Sequence, residues 1–255
     1  MISDPMIRWL VIEAKKHHTD DAFCSTVNWI LLGRYAGFRK SEWCQSTQSR
    51  FERIEDWPGQ PPLALIFSDW KFFDESERPL SLQLNTCIDT IHFVEIRWRK
   101  QKIHENDETI LFACDFSHEA FCPVRAAFRI ALQSLRLGNP EHHPIGIFRD
   151  RKGNRKFITN SIVNKTLRMA ASAVLKISLK DESIKRWSTH SIRVTACNLL
   201  HREKFSDSFI QKRLRWKSNS FLMYLRNTFY AATQHSTIKL SDNNLPPLVE
   251  RSYRP

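Results

Sequence analysis

Apolar residues recur at helical spacing through most of this chain and alternate in one region only. Phe23, Val27, Ile30 and Leu31 share a face of a helix that Asp20 can cap and that ends near Gly37, a residue suited to the turn after a last helical residue. Phe38 to Trp43 follows as a short second helix. Residues 56–62, Asp-Trp-Pro-Gly-Gln-Pro-Pro, read as loop. His92 to Trp98 alternates as a strand and Thr109 to Ala113 is a second, apolar one; the polar stretch Lys100 to Asp107 between them suits a hairpin turn. Pro123 opens a helix that closes at Gly138 and buries Val124, Phe128, Ala131, Leu132 and Leu135. A basic loop, Arg149 to Lys156 with Gly153-Asn154 at its tip, leads to a helix from Asn160 or Ser161 through Ile162, Val163, Leu167, Ala170 and Val174. In the last third, Thr189 is the expected cap of a helix from His190 to about Leu200, and Ser206 of another with Phe209, Ile210 and Leu214. A third helix is expected from about Ser220, carrying Leu222, Tyr224 and Leu225. Beyond Asn227 the chain turns polar, passes Asn243-Asn244-Leu245-Pro246-Pro247 and ends unpatterned. The pattern predicts a mainly α protein with a small antiparallel β-sheet.

Composition narrows what such a fold is for. The 255 residues are 42% hydrophobic, enough for a core, and 39 Lys+Arg against 27 Asp+Glu leave a net charge of +12. The isoelectric point near 9.6 favours a polyanionic partner, nucleic acid or an acidic membrane surface. A mean hydropathy of −0.43 without a long apolar run argues against a membrane span. Met1 to Lys16 holds Asp4 and Glu13 around a short apolar stretch with no small-residue cleavage site, unlike a secretory signal. Six glycines weigh against a glycine-rich phosphate loop. Cysteines 24, 44, 87, 114, 122 and 197 show no Cys-x-x-Cys spacing and read as reduced thiols in or near the core. His17-His18 and His142-His143 are adjacent pairs that do not share a helix face, so neither a metal nor another cofactor is expected.

Four dispersed signatures carry candidate chemistry. They are Gly37-Phe38-Arg39-Lys40-Ser41-Glu42, a lysine-bearing hairpin with Lys100 and Lys102, His190-Ser191-Ile192-Arg193, and Leu214-Arg215-Trp216-Lys217-Ser218 with Tyr224 eight residues after the tryptophan. Each has a plain reading when taken singly: Arg39 as a surface charge, His190 and Arg193 as solvated neighbours on a helix, Trp216 and Tyr224 as packing residues.

In this order and spacing, over roughly residues 20–227, the set resembles the catalytic domain of tyrosine recombinases, the phage-integrase family. Gly37 to Glu42 resembles that family's first box, whose arginine is catalytic and is followed three residues later by a glutamate. His190 to Arg193 is similar to its His-x-x-Arg box. Trp216 stands where the family has histidine or tryptophan, and Tyr224 where it has the nucleophile. Arg99-Lys100-Gln101-Lys102 and Cys122-Pro123-Val124-Arg125 look more like recombinases of eukaryotic Crypton-type mobile elements than like bacterial Xer proteins. The resemblance implies the fold of that catalytic domain and a double-stranded DNA substrate. It further implies a homotetramer on DNA and, for a eukaryotic element, a nuclear location.

The implied reaction is attack by the Tyr224 oxygen on a DNA phosphodiester, giving a 3′-phosphotyrosyl link that conserves bond energy for religation. A phenol with pKa near 10 needs activation in place. Arg39 and Arg193 would clamp the non-bridging oxygens, a task that suits a guanidinium fork. Loss of one such contact typically costs on the order of 3 kcal/mol of transition-state stabilisation. His190 would assist proton transfer or hold the phosphate, and Trp216 would donate its indole N–H to the same group. A hairpin lysine, Lys102 by register with Lys100 as the alternative, would protonate the departing 5′ oxygen. Glu42 is expected to orient Arg39. Arg149, Arg151, Lys152, Arg155 and Lys156, together with Lys212, Arg213, Arg215 and Lys217, would follow the DNA backbone.

Domain expectations follow the same likeness: residues 1–19 as a lead-in, 20–227 as the catalytic domain, and 228–255 as a tail that is either loosely held or docks on a neighbouring protomer. Recombinases of this kind usually carry a separate helical domain before the catalytic one, and Arg39 lies too near the start for it to fit here. A catalytically silent, domesticated or truncated DNA-binding remnant is therefore the competing reading. A type IB topoisomerase, which shares the tyrosine chemistry, fits the His-x-x-Arg box and the tryptophan spacing less well.

Overall fold

The computed structural model describes residues 1–43, 64–99 and 107–225. These form a mainly helical protein with a small antiparallel sheet. Helix α1 spans Asp4–Lys16, α2 Asp21–Ala36 and α3 Lys40–Trp43. Strands β1 (Trp70–Phe73), β2 (Pro79–Leu80), β3 (Phe93–Trp98) and β4 (Glu108–Ala113) form a sheet ordered β2-β1-β3-β4, antiparallel throughout. Helix α4 (Pro123–Arg136), the β5 (Ile147–Arg149) and β6 (Arg155–Phe157) hairpin, α5 (Asn160–Leu175), α6 (Thr189–Arg202) and α7 (Asp207–Arg213) follow.

Capping chemistry places the helix that leads into the site. Asp20 accepts from the Phe23 N–H at 3.0 Å and starts α2. Gly37 closes it in the left-handed conformation, φ 56°. A Cβ on Gly37 would lie 2.6 Å from Leu214 Cδ2, and one on Gly33 would lie 2.8 Å from Ile192 Cγ2. Both glycines therefore let α2 approach α6 and the segment after α7 closely. Trp29 of α2 packs against Phe38, Trp43 and Trp70 with ring centroids 5.6–5.8 Å apart, and Phe38 lies 6.0 Å from Trp98. This aromatic cluster fastens the α2–α3 turn to the end of β3.

Several expectations shift. The stretch 1–19 contains a helix, α1, whose Met6, Ile7 and Leu10 are buried in the same core as α2 and α5. β1 and β2 were not apparent in the sequence, and the basic loop is the turn of the β5–β6 hairpin. Helix α6 starts at Thr189 rather than after it. The Thr189 hydroxyl donates to Asn160 Oδ1 (2.7 Å) and its N–H to Asn164 Oδ1 (2.8 Å), pinning α6 to α5 instead of capping it. Helix α5 starts at Asn160 as expected, capped by Thr159, whose side chain accepts the Ile162 N–H.

The third helix expected from Ser220 is instead a 3-10 turn, Asn219–Tyr224, after Ser218. Phe221 anchors it in the core with Tyr224 packed alongside, whereas Leu222 and Met223 are exposed. Asn198 Nδ2 of α6 donates to the Tyr224 carbonyl at 2.7 Å, so a carbonyl that a longer helix would use internally is held from outside. The predicted loop 56–62, most of the hairpin turn Lys100 to Asp107, and the tail beyond Asn227 lie outside the described residues. Among the described residues no helix is long and apolar enough to cross a membrane. The five described cysteines are free, with Cys122 and Cys197 buried and Cys87 exposed.

Candidate active site

The α2–α3 turn presents Arg39, and Glu42 on α3 holds it. Glu42 Oε2 accepts the Arg39 main-chain N–H at 2.8 Å and Oε1 accepts Arg39 Nη1 at 3.1 Å. Arg39 Nη2 donates to the Arg215 carbonyl. The Arg39 side chain keeps 19% of its surface exposed, so it reaches both the interior and the solvent. The expected orienting role of Glu42 is thus visible as geometry.

Glu42 is itself buried, 4% exposed, and accepts two further donors: Trp98 Nε1 at 3.2 Å and Arg215 Nη2 at 2.7 Å. Burial alone would push its carboxyl up. Arg215, the Arg39 N–H, and the Arg193 and Arg39 charges outweigh that and hold it below the usual carboxylate range.

Arg193, on α6, lies deep. It is 5% exposed, and its Nη1 and Nη2 donate to the Gly37 and Leu214 carbonyls. Its Cζ stands 4.3 Å from the centroid of the Trp216 ring. Burial, with the neighbouring Arg215 charge second, brings its pKa down to about 9, still protonated at neutral pH.

The remaining predicted residues meet at the mouth of the same region. Trp216 and Tyr224 have ring centroids 5.3 Å apart, and His190 meets Tyr224 edge-on at 5.1 Å. A cleft of about 530 Å³ opens beside them, lined in part by Arg186, His190, Asn198 and Tyr224. Partial desolvation, followed by the Arg193 charge, lowers the His190 pKa, which favours the neutral, proton-accepting imidazole. The Trp216 Nε1 is buried without a hydrogen-bond partner among the described residues, a donor with nothing to donate to.

His190, Arg193, Trp216 and Tyr224 are thus one contact cluster, and Arg39 joins it through the carbonyl of the residue preceding Trp216. Lys100 and Lys102 lie outside the described residues. Only the root of their hairpin is placed: Arg99 Nε bonds both oxygens of the buried Asp69 at 2.7 and 2.8 Å, and Arg99 Nη2 donates to the Ala64 carbonyl.

Arg215 does not lie where the sequence suggests. Expected among basic residues along a DNA backbone, it is 1% exposed, ion-paired with Glu42 and stacked 4.0 Å over Trp98. Arg213 is also engaged, donating to the Leu111 carbonyl at 3.0 Å over the Phe112 ring. Lys212 and Lys217 are exposed, as are Arg149, Arg151 and Lys152 on the β5–β6 hairpin. A run of cations spaced every one or two residues carries no signal that one of them turns inward. Among the described residues no group of three or more His, Cys, Asp or Glu side chains is placed to hold a metal ion.

No family model matches the chain, and no curated protein matches it. Among solved structures it is similar to the XerH site-specific recombinase bound to difH substrate in a pre-cleavage complex, with a TM-score of 0.48 and 13% identity over 93% of this chain and 53% of that one. The chain therefore spans about half the length of that recombinase. At this degree of likeness the comparison carries no weight on its own, and what the site can do rests on its side chains.

Proposed function

We propose that this chain is the catalytic domain of a DNA strand-transfer enzyme of the tyrosine-recombinase kind. The observation that carries the proposal is the meeting of His190, Arg193, Trp216 and Tyr224, drawn from two distant stretches of sequence, in one cluster that Arg39 joins from a third. The Tyr224 oxygen attacks the phosphorus of a DNA phosphodiester, its P–O bond forms as the bond to the 5′ oxygen breaks, and neutral His190 takes the phenolic proton. Arg39 and the unpartnered Trp216 N–H would take the charge that gathers on the non-bridging oxygens, with Arg193 joining them once its guanidinium leaves the Gly37 and Leu214 carbonyls. Lys102, or Lys100 in its place, returns a proton to the 5′ oxygen. The same reading has the protein integrating a mobile element in the nucleus, as a homotetramer that brings two duplex sites together.

A second reading, a DNA-binding remnant without catalysis, draws on one observation: both Nη atoms of Arg193 are engaged by main-chain carbonyls rather than turned to an open phosphate site. Covalent trapping separates the two. Wild type and Tyr224→Phe are incubated without metal with nicked suicide duplexes, from element ends or a random pool. A denaturation-resistant protein–DNA band for wild type alone is the expected result. Salt-sensitive binding of the same duplexes with no such band would sink the catalytic reading.

A further inference from the structure

We infer that Arg215 is a positioning residue, which fixes the phosphate-facing arginine, Arg39, from two sides and ties it to the root of the β3–β4 hairpin. The Arg215 carbonyl takes Arg39 Nη2. The Arg215 guanidinium donates to Glu42 Oε2 at 2.7 Å, and Glu42 in turn accepts the main-chain N–H and Nη1 of Arg39. Arg39 is thereby closed in a ring whose other members are one carboxylate and the two ends of one residue. Arg215 also reaches the Ala36 carbonyl at the end of α2 (3.3 Å) and lies 4.0 Å over Trp98, whose indole N–H bonds the same Glu42 oxygen. Trp98 is the last residue of β3, directly before Arg99 and the hairpin that carries Lys100 and Lys102.

Two features set this arrangement apart from an ordinary buried ion pair. Arg215 is buried and holds a left-handed backbone, φ 57°, a conformation that costs a residue with a Cβ. A glycine would relieve that backbone, so the arginine side chain is kept against a local cost. The turn also aims Trp216, the next residue, at Arg193 and Tyr224. One residue thus sets the placement of Arg39 with its side chain and of Trp216 with its backbone.

The positioning role stands on this geometry; its bearing on strand cleavage rests on the function proposed above. The test uses the whole chain, labelled at arginine and glutamate side chains, as wild type, Arg215→Gly and Arg215→Lys. Glycine keeps the carbonyl and relieves the backbone while removing the guanidinium; lysine restores charge without the fork. Three quantities are read: exchange protection of the Arg39 guanidinium protons, the titration of the Glu42 carboxyl, and trapping on nicked duplex. The charged groups that face Glu42 are Arg39 from the α2–α3 turn, Arg193 from α6 and Arg215 itself, with Glu108 of β4 acting on Arg215.

Wild type should show protected Arg39 protons and a Glu42 titration below the ordinary range. In Arg215→Gly the titration moves up and Arg39 protection falls at least about tenfold. DNA affinity then stays within about twofold while trapping falls at least about tenfold, and lysine recovers part of each loss. Unchanged Arg39 protection and Glu42 titration in Arg215→Gly would overturn the inference, as would wild-type Arg39 protons that exchange freely, a measurement that needs no variant to fold. If the spectroscopic changes occur but wild type traps no DNA, the positioning role is supported and the catalytic reading fails.

Discussion

Glu42 receives hydrogen bonds from three side chains and one main-chain N–H, and all three side chains come from different parts of the sequence. Its ionised form is the one these donors favour, so its pKa is lower folded than unfolded. The stabilisation it gives is therefore complete above the unfolded glutamate value, about 4.3, and is lost as pH falls through the lower, folded value. Glu42→Gln should cost about 3 kcal/mol at neutral pH, in the range for breaking a buried ion pair. That difference should shrink as the medium is acidified below pH 4. Urea denaturation of both proteins between pH 7 and pH 3 measures it, and a difference independent of pH would refute the assignment.

At the scale of elements, the contact between the end of α2 and the segment after α7 sets the site. Gly37→Ala should destabilise the protein by at least about 2 kcal/mol, since a Cβ there meets Leu214 Cδ2 at 2.6 Å on a backbone already at positive φ. Gly153→Ala, at φ 84° with nothing within 4 Å, supplies the strain without the clash and should cost less. Thermal denaturation of the two variants decides this; equal losses would show that packing at Gly37 is unimportant. The α2 boundaries were legible in the sequence because Asp20 and Gly37 act locally, through one cap and one turn. β3, β4 and α4 were legible from alternation, from helical spacing and from Pro123. The inward turn of Arg215 was not, because it depends on Glu42 and Trp98, which are 173 and 117 positions away. The 3-10 turn at Tyr224 escaped for the same reason: Asn198, from another helix, decides how its carbonyls are used. The site residues themselves were readable as types in order, but their mutual contacts emerge only from the fold.

Over the whole molecule, the excess of cations predicts DNA affinity that falls with salt. Arg151 and Lys152 are exposed in the turn of the β5–β6 hairpin, free of the packing that engages Arg213 and Arg215. Replacing both by Gln should reduce the slope of log affinity against log salt by about 1.8 if each touches a phosphate, at roughly 0.9 per contact. Trapping by the variant at low salt should persist. Titrations of a fixed duplex at several salt concentrations check this, and an unchanged slope would place the DNA elsewhere.

Among the described residues Arg39 and Arg215 are bonded to one carboxylate, Glu42, and Arg193 feels that charge without a bond to it. Positive charge outnumbers negative at this point of the interior, and the three arginines repel one another more than they would with an anion between them. A phosphodiester entering there would supply the missing counter-charge and so complete the folded state as well as occupy it. By linkage, whatever binds only the folded form stabilises it in proportion to its occupancy. On the function proposed above, DNA would be a structural component that arrives late, and the protein should be at its most stable while it holds it.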